Sequence, residues 1–278
     1  MAITNFIPTV WSENLYQALD KNYIGVSHCN RDYEGEIKNQ GSKVKICGVG
    51  SINVSDYTKN TDMSSPQALS DTVRELVIDQ AKYFNFQIDD IDKAQSTPKL
   101  MDAAMKVAAS ALANVADRFV YSVCVNSATQ TMMEDLSSPG DILDIFIRAR
   151  ELLYTHNVSA NENVVLEVPP FIATMLLKEK IERSTDNTAA LDNGYLGNIA
   201  GCKVFVSQNI PSLGDDSEYK YTCVMRTTRA VSYADQLSEI VAYRPERRFA
   251  DAVKGLHLYG ATLVYPEELV CIEVNRTY

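Results

Sequence analysis

The sequence predicts an α+β protein. Three features carry that expectation. An alanine-rich segment near residues 98–125 shows one apolar stripe at spacings of three and four. Ahead of it, apolar and polar residues alternate with period two on both sides of a long polar stretch. From about residue 161 onward, short strand-like and helix-like runs take turns. With 278 residues, 46% of them hydrophobic and 22% charged, the chain is large enough to bury a core, and disorder is not its default.

The first 40 residues are rich in apolar side chains, among them Phe6, Ile7, Val10, Trp11, Leu15, Tyr16, Leu19, Tyr23 and Ile24. Trp11, Leu15 and Leu19 are spaced by four, which suits a short amphipathic helix. A segment this sticky and short is either an arm that docks on something else or a helix packed on its own domain. Next, Val44 and Ile46 alternate with lysines, and Phe84, Phe86 and Ile88 alternate with Asn85 and Gln87. Between these two runs lies a polar stretch containing Pro66. The pattern predicts a long hairpin with a poorly packed middle, and structureless stretches of that length usually have a function.

Thr97 as N-cap and Pro98 at the first helical position open the helix. Its expected stripe is Leu100, Ala104, Val107, Ala108, Ala111, Leu112, Val115 and Phe119. Some 25 residues of helix would be about 38 Å long. Ser138 and Pro139 repeat the start signal, and the second helix should bury Ile142, Ile145, Phe146, Ala149, Leu152 and Leu153. "NVVLEV" then reads as a buried strand, Pro170 opens a third helix, and "NGYLGNIAGCKVFVSQNIP" reads as a glycine-punctuated turn and strand. "YKYTCVMRT", "LSEIVAYRPE" and "KGLHLYGATLVYPEELVCIEV" read as strands, the last interrupted by Pro266.

Composition narrows the function. There are 26 Lys and Arg against 36 Asp and Glu, a net charge of -10, which opposes the wrapping of nucleic acid. No two of Cys29, Cys47, Cys124, Cys202, Cys223 and Cys271 are closer than 18 positions, so no paired thiols suggest zinc or redox chemistry. "MAITNFIPTVWSENLY" has no secretory pattern and no apolar run is long enough to span a bilayer; an intracellular, reduced protein is expected. His28, His156 and His257 lack neighbours at ligand spacing. "GVGS" at 48–51 lacks the lysine and helix start of a phosphate loop, and "DDID" at 89–92 reads as a solvated strand end. No catalytic signature, metal site or cofactor is expected.

One cluster stays open on these grounds. Arg244, Arg247, Arg248 and Lys254 stand close together with Glu246 and Asp251 among them. Such a mixture can be solvated surface, an interface that pairs with carboxylates of a neighbour, or an anion site.

Several segments in order resemble one family. "FNFQIDDIDKAQS" closing the hairpin, the long alanine-rich helix, "NVVLEVPPFIATMLL", "NGYLGNIAGCKVFVSQNIP" and "VAYRPERRFADAVKGLHLYGATLVYPEEL" look like the major capsid protein of tailed bacteriophages, with the Hong Kong 97-type fold. The resemblance covers nearly the whole chain and is architectural. It implies an N-terminal arm at residues 1–40, an extended β-hairpin loop at 41–95, a peripheral domain with a long spine helix at 96–149, an axial domain at 150–250, and return strands to the peripheral domain at 251–278. It implies a non-enzymatic subunit that self-assembles through pentamers and hexamers into an icosahedral shell around double-stranded DNA, in the virion, after assembly in the bacterial cytoplasm. The partners implied are further copies of the chain, a separate scaffolding protein, a portal protein and decoration proteins, with no membrane and no sequence-specific DNA contact. The subunit-interface candidates are Trp11, Leu15, Tyr16, Lys59, Arg244, Arg247, Arg248 and Lys254. Lys59 lies in the loop, yet no motif supports a covalent cross-link there. Two other readings are an encapsulin-type nanocompartment shell, which shares the fold, and a soluble enzyme with an anion site at Arg244–Lys254.

Overall fold

Residues Leu100–Ser127 form one helix of 28 residues, α1, about 42 Å long at 1.5 Å per residue. The computed structural model describes residues 15, 18–19, 22–33, 43–49, 56, 59–60, 62, 65, 71–89, 100–136, 141–159, 161–178, 195–212, 220–247 and 249–276. The expected cap at Thr97 and Pro98 lies outside the described residues. The buried face of α1 is Met105, Ala109, Leu112, Ala113, Ala116, Val120, Tyr121 and Cys124. That corrects the expected stripe: Val107 is 70% exposed and Val115 37%. Alanine and valine occupy most of the circumference, so periodicity offers two stripes. The one that packs carries the larger residues of the C-terminal turns.

Two further helices among the described residues are α2 (Asp141–Thr155) and α3 (Pro170–Lys178). The strands are β1 (Lys43–Val49), β2 (Asp71–Val77), β3 (Gln80–Asp89), β4 (Thr131–Leu136), β5 (Val164–Val168), β6 (Tyr195–Ile199), β7 (Cys202–Val206), β8 (Lys220–Thr227), β9 (Val231–Tyr243), β10 (Ala250–Leu263) and β11 (Leu269–Arg276). They form a ribbon β1-β2, a three-stranded sheet β3-β10-β9 and a six-stranded sheet β4-β11-β8-β5-β7-β6. Two pairs, β11 with β4 and β5 with β7, are parallel, and all others are antiparallel. Among the described residues no helix is long and apolar enough to cross a membrane.

The hairpin differs from expectation. Residues 43–49 pair with 71–77 in register Lys43↔Val77, while Phe84 and Phe86 belong to β3, which pairs with β10. The alternation was real, but period two identifies a strand and not its partner. Phe84 and Phe86 turn toward α1, and Tyr83 on the opposite face is 78% exposed. β10 passes so close to the end of the ribbon that a Cβ on Gly260 would lie 2.1 Å from the Val77 carbonyl oxygen. β6 and β7 are joined by Ala200 and Gly201 with φ of 49° and 76°, both left-handed, which makes the tight turn whose twist matches a hairpin.

Two large cores result. The first lies between α1 and the three-stranded sheet and takes in Leu15, Leu19, Tyr23 and Val26 from the N-terminal segment. The second lies between α2, α3 and the six-stranded sheet. β8 and β11 serve both: Val224, Leu269 and Cys271 join the first core, while Cys223, Met225, Val270, Ile272 and Val274 join the second. A sheet buried on both faces explains why these strands read as continuous apolar runs rather than alternating ones. A small third core holds Val44, Ile46, Leu76 and Ile78 of the ribbon region against Ala234 and Leu258. α2 packs in the second core and β9 in the first. Cys29, Cys124, Cys202, Cys223 and Cys271 are free and buried, in keeping with their expected role as small apolar residues.

Candidate functional site

The N-terminal segment is held by two buried polar clusters. In the first, Arg226 of β8 and Glu167 of β5 face the first core and are both 0% exposed. Arg226 Nε and Nη2 donate to the two Glu167 carboxylate oxygens at 3.0 and 3.1 Å. Its Nη2 also donates to the Gly25 carbonyl at 2.7 Å, and its Nη1 to the His28 carbonyl at 3.3 Å and to Cys29 Sγ at 3.2 Å. All five guanidinium donors are therefore used. His28 Nδ1 lies 2.9 Å from Glu167 Oε1. From α1, Asp117 accepts the backbone N–H groups of Ile24 and Val26, each at 3.0 Å. Burial would raise the Glu167 carboxyl, but Arg226 and His28 outweigh it and hold it below the usual carboxylate range. For Asp117 burial wins over the two amides, and its pKa is pushed up to about 6.

In the second cluster Asp235 of β9 accepts from Tyr23 Oη at 3.0 Å and meets His257 Nε2 of β10 at 3.1 Å. Arg31 lies 3.7 Å away. Burial opposes the Asp235 charge, yet His257 and Arg31 leave its pKa lowered. The backbone of Asn30 exchanges hydrogen bonds with Val231 and Tyr233, each 2.9 Å, so the chain here runs beside β9 as an added rung.

The predicted interface residues fall in different places. Trp11, Tyr16 and Arg248 lie outside the described residues. Leu15 is 1% exposed and packs in the first core of its own subunit. Leu19, four positions on, is 2% exposed in the same core. Lys59 is exposed in a turn beside Asn60, whose φ is 66°. Arg244 pairs with Asp251 at 3.5 Å, and the Lys254 ammonium lies 5.3 Å from the centre of the Tyr243 ring. Arg247 is exposed in the turn between β9 and β10, beside Phe249, which is 85% exposed. The described part of the cluster thus partly neutralises itself. Among the described residues no group of three or more His, Cys, Asp or Glu is placed to hold a metal ion.

The residues that lock the N-terminal segment escaped the sequence reading. A signal was present: Glu167 interrupts "NVVLEV" and Arg226 interrupts "YTCVMRT", and a charge inside a buried strand requires a partner.

A family model described as phage capsid protein matches residues 72–272, well over half of the chain. This chain belongs to the phage capsid protein family. It is a structural subunit of an icosahedral shell, with the Hong Kong 97-type α+β fold. The structure from Mycobacterium phage Che8 superposes with a TM-score of 0.71 at 28% identity, over 90% of each chain. The capsid structure of cyanophage P-SCSP1u has a TM-score of 0.67 at 14% identity, over 90% of this chain and 87% of that one. The virus-like particle from Pyrococcus furiosus has a TM-score of 0.57 at 12% identity, over 96% and 99%. The last two likenesses speak for the fold. No curated protein matches the sequence.

Proposed function

We propose that this capsid protein closes into pentamers and hexamers that enclose double-stranded phage DNA, using the β9–β10 turn as one of its contact points. The observation that carries the proposal is Phe249, 85% exposed two positions from an exposed Arg247 in the same turn. A large aromatic beside an arginine is unfavourable surface for a free monomer and typical of a contact that another subunit covers. Residues 1–40 act as the N-terminal arm. The ribbon β1-β2 is the extended loop. α1 with the three-stranded sheet forms the peripheral domain, and α2, α3 and the six-stranded sheet form the axial domain. Lys59, Arg244 and Lys254 line the contact surfaces. A net charge of -10 keeps the inner wall from trapping the genome. Assembly takes place in the bacterial cytoplasm with a separate scaffolding protein, a portal and decoration proteins.

Electron microscopy of the expressed protein tests the shell: closed particles with five-fold and six-fold capsomers are expected, and small free particles under all assembly conditions would refute it. Arg247→Glu and Phe249→Ser test the contact. Each should reduce shell yield while leaving subunit unfolding within about 0.5 kcal/mol of wild type, the usual range for surface changes. Normal shells in both variants would remove the turn from the interface.

A further inference from the structure

On α2, Ile147 and Tyr154 are seven residues apart and share one face, 53% and 46% exposed. Arg150 sits between them and is only 2% exposed. Its guanidinium carbon lies 4.4 Å from the centre of the Tyr154 ring, and its Nε and Nη1 are buried without a hydrogen-bond partner. Among the described residues no carboxylate lies within ion-pair distance of it, whereas Arg148, two positions away, pairs with Glu134 at 2.9 Å. An unmatched guanidinium under a half-exposed aromatic ring, with an exposed isoleucine one turn away, is the composition of an interface centre before its partner arrives.

We infer that the outer face of α2 is a contact surface between two copies of this chain, on which Arg150 receives a carboxylate from the second copy. This rests on the shell reading above and adds a contact on the second body, away from the β9–β10 turn. The occupant follows from charge: the chain carries 36 acidic side chains against 26 basic ones, so a neighbouring copy brings surplus carboxylates to an unmatched cation. Tyr154 shields the guanidinium in the free subunit and turns aside on contact.

The test compares shells of wild type and Arg150→Met. Methionine keeps the apolar stem and removes the unmatched charge, so the free subunit should melt at or above the wild-type temperature. Shell yield at equal protein concentration should fall at least tenfold. A second variant, Arg150→Lys, is assembled and treated with a zero-length carbodiimide. The introduced amine should join to an Asp or Glu peptide of another subunit, found by mass spectrometry in shells and missing from free subunits. Wild-type yield from folded Arg150→Met would overturn the inference, and so would an amine that links within its own chain or not at all. If Arg150→Met does not fold, the cross-linking result decides. Wild-type protein that forms no shells refutes the shell reading itself.

Discussion

Glu167→Gln isolates the charge that balances Arg226. The substitution keeps the side-chain shape and removes the carboxylate that takes two of the five guanidinium hydrogen bonds. The bonds to the Gly25 and His28 carbonyls and to Cys29 persist, so Arg226 stays charged and in place. Breaking a buried ion pair from one side costs about 3–5 kcal/mol, because the survivor is left uncompensated. At roughly 2–4 °C per kcal/mol for a chain of this size, the unassembled subunit should melt about 6–20 °C lower. The pH dependence has a definite sign. The folded-state pKa of Glu167 lies below its unfolded value, so its contribution is complete above the unfolded pKa and is lost as pH falls through the folded one. The variant should be least different from wild type in acid. The double replacement Glu167→Leu with Arg226→Met removes both charges and should recover most of the loss. Thermal unfolding followed by circular dichroism reads all three proteins. A melting point for Glu167→Gln within about 1 °C of wild type at neutral pH would refute the reasoning.

Three further outcomes can be checked on the same subunit. Asp117→Asn should flatten a pH dependence of opposite sign: with a folded pKa near 6, above the unfolded value, Asp117 makes wild type lose stability as pH rises through that window, by roughly 3 kcal/mol, and urea titrations at pH 4 and pH 8 measure the difference. Gly260→Ala should lower the yield of folded protein and destabilise what folds by about 1–3 kcal/mol or more, since its Cβ meets the Val77 carbonyl and backbone yields less than a side chain. Leu15→Ala should cost the free subunit about 2–5 kcal/mol, and an effect confined to shell assembly would restore Leu15 to the interface.

Local structure was legible in the sequence where a single element decides it. The apolar face of α2 buries Ile142, Ile145, Phe146, Ala149 and Leu153 as their spacing predicts, and the strand expected at "NVVLEV" is buried throughout. What escaped depends on long-range choice. Phe84 alternates equally well whether its strand pairs with residues 43–49 or with β10, and only the folded chain puts it opposite Gly255. Val107 and Met105 compete for the inside of α1 on nearly equal terms. Arg226 and Glu167 are 59 positions apart, so their pairing follows from the neighbouring of β5 and β8 and from nothing local.

β8 and β11 lend alternate residues to two cores. A force entering the subunit through one body must therefore leave through the other by way of these two strands. A sheet shared in this way should make the two cores deform together rather than swing on a hinge. Compliance is left to the parts outside that shared sheet, chiefly the β1-β2 ribbon on its small third core. Curvature differences between positions in a shell would then fall on the ribbon before they reach the shared sheet.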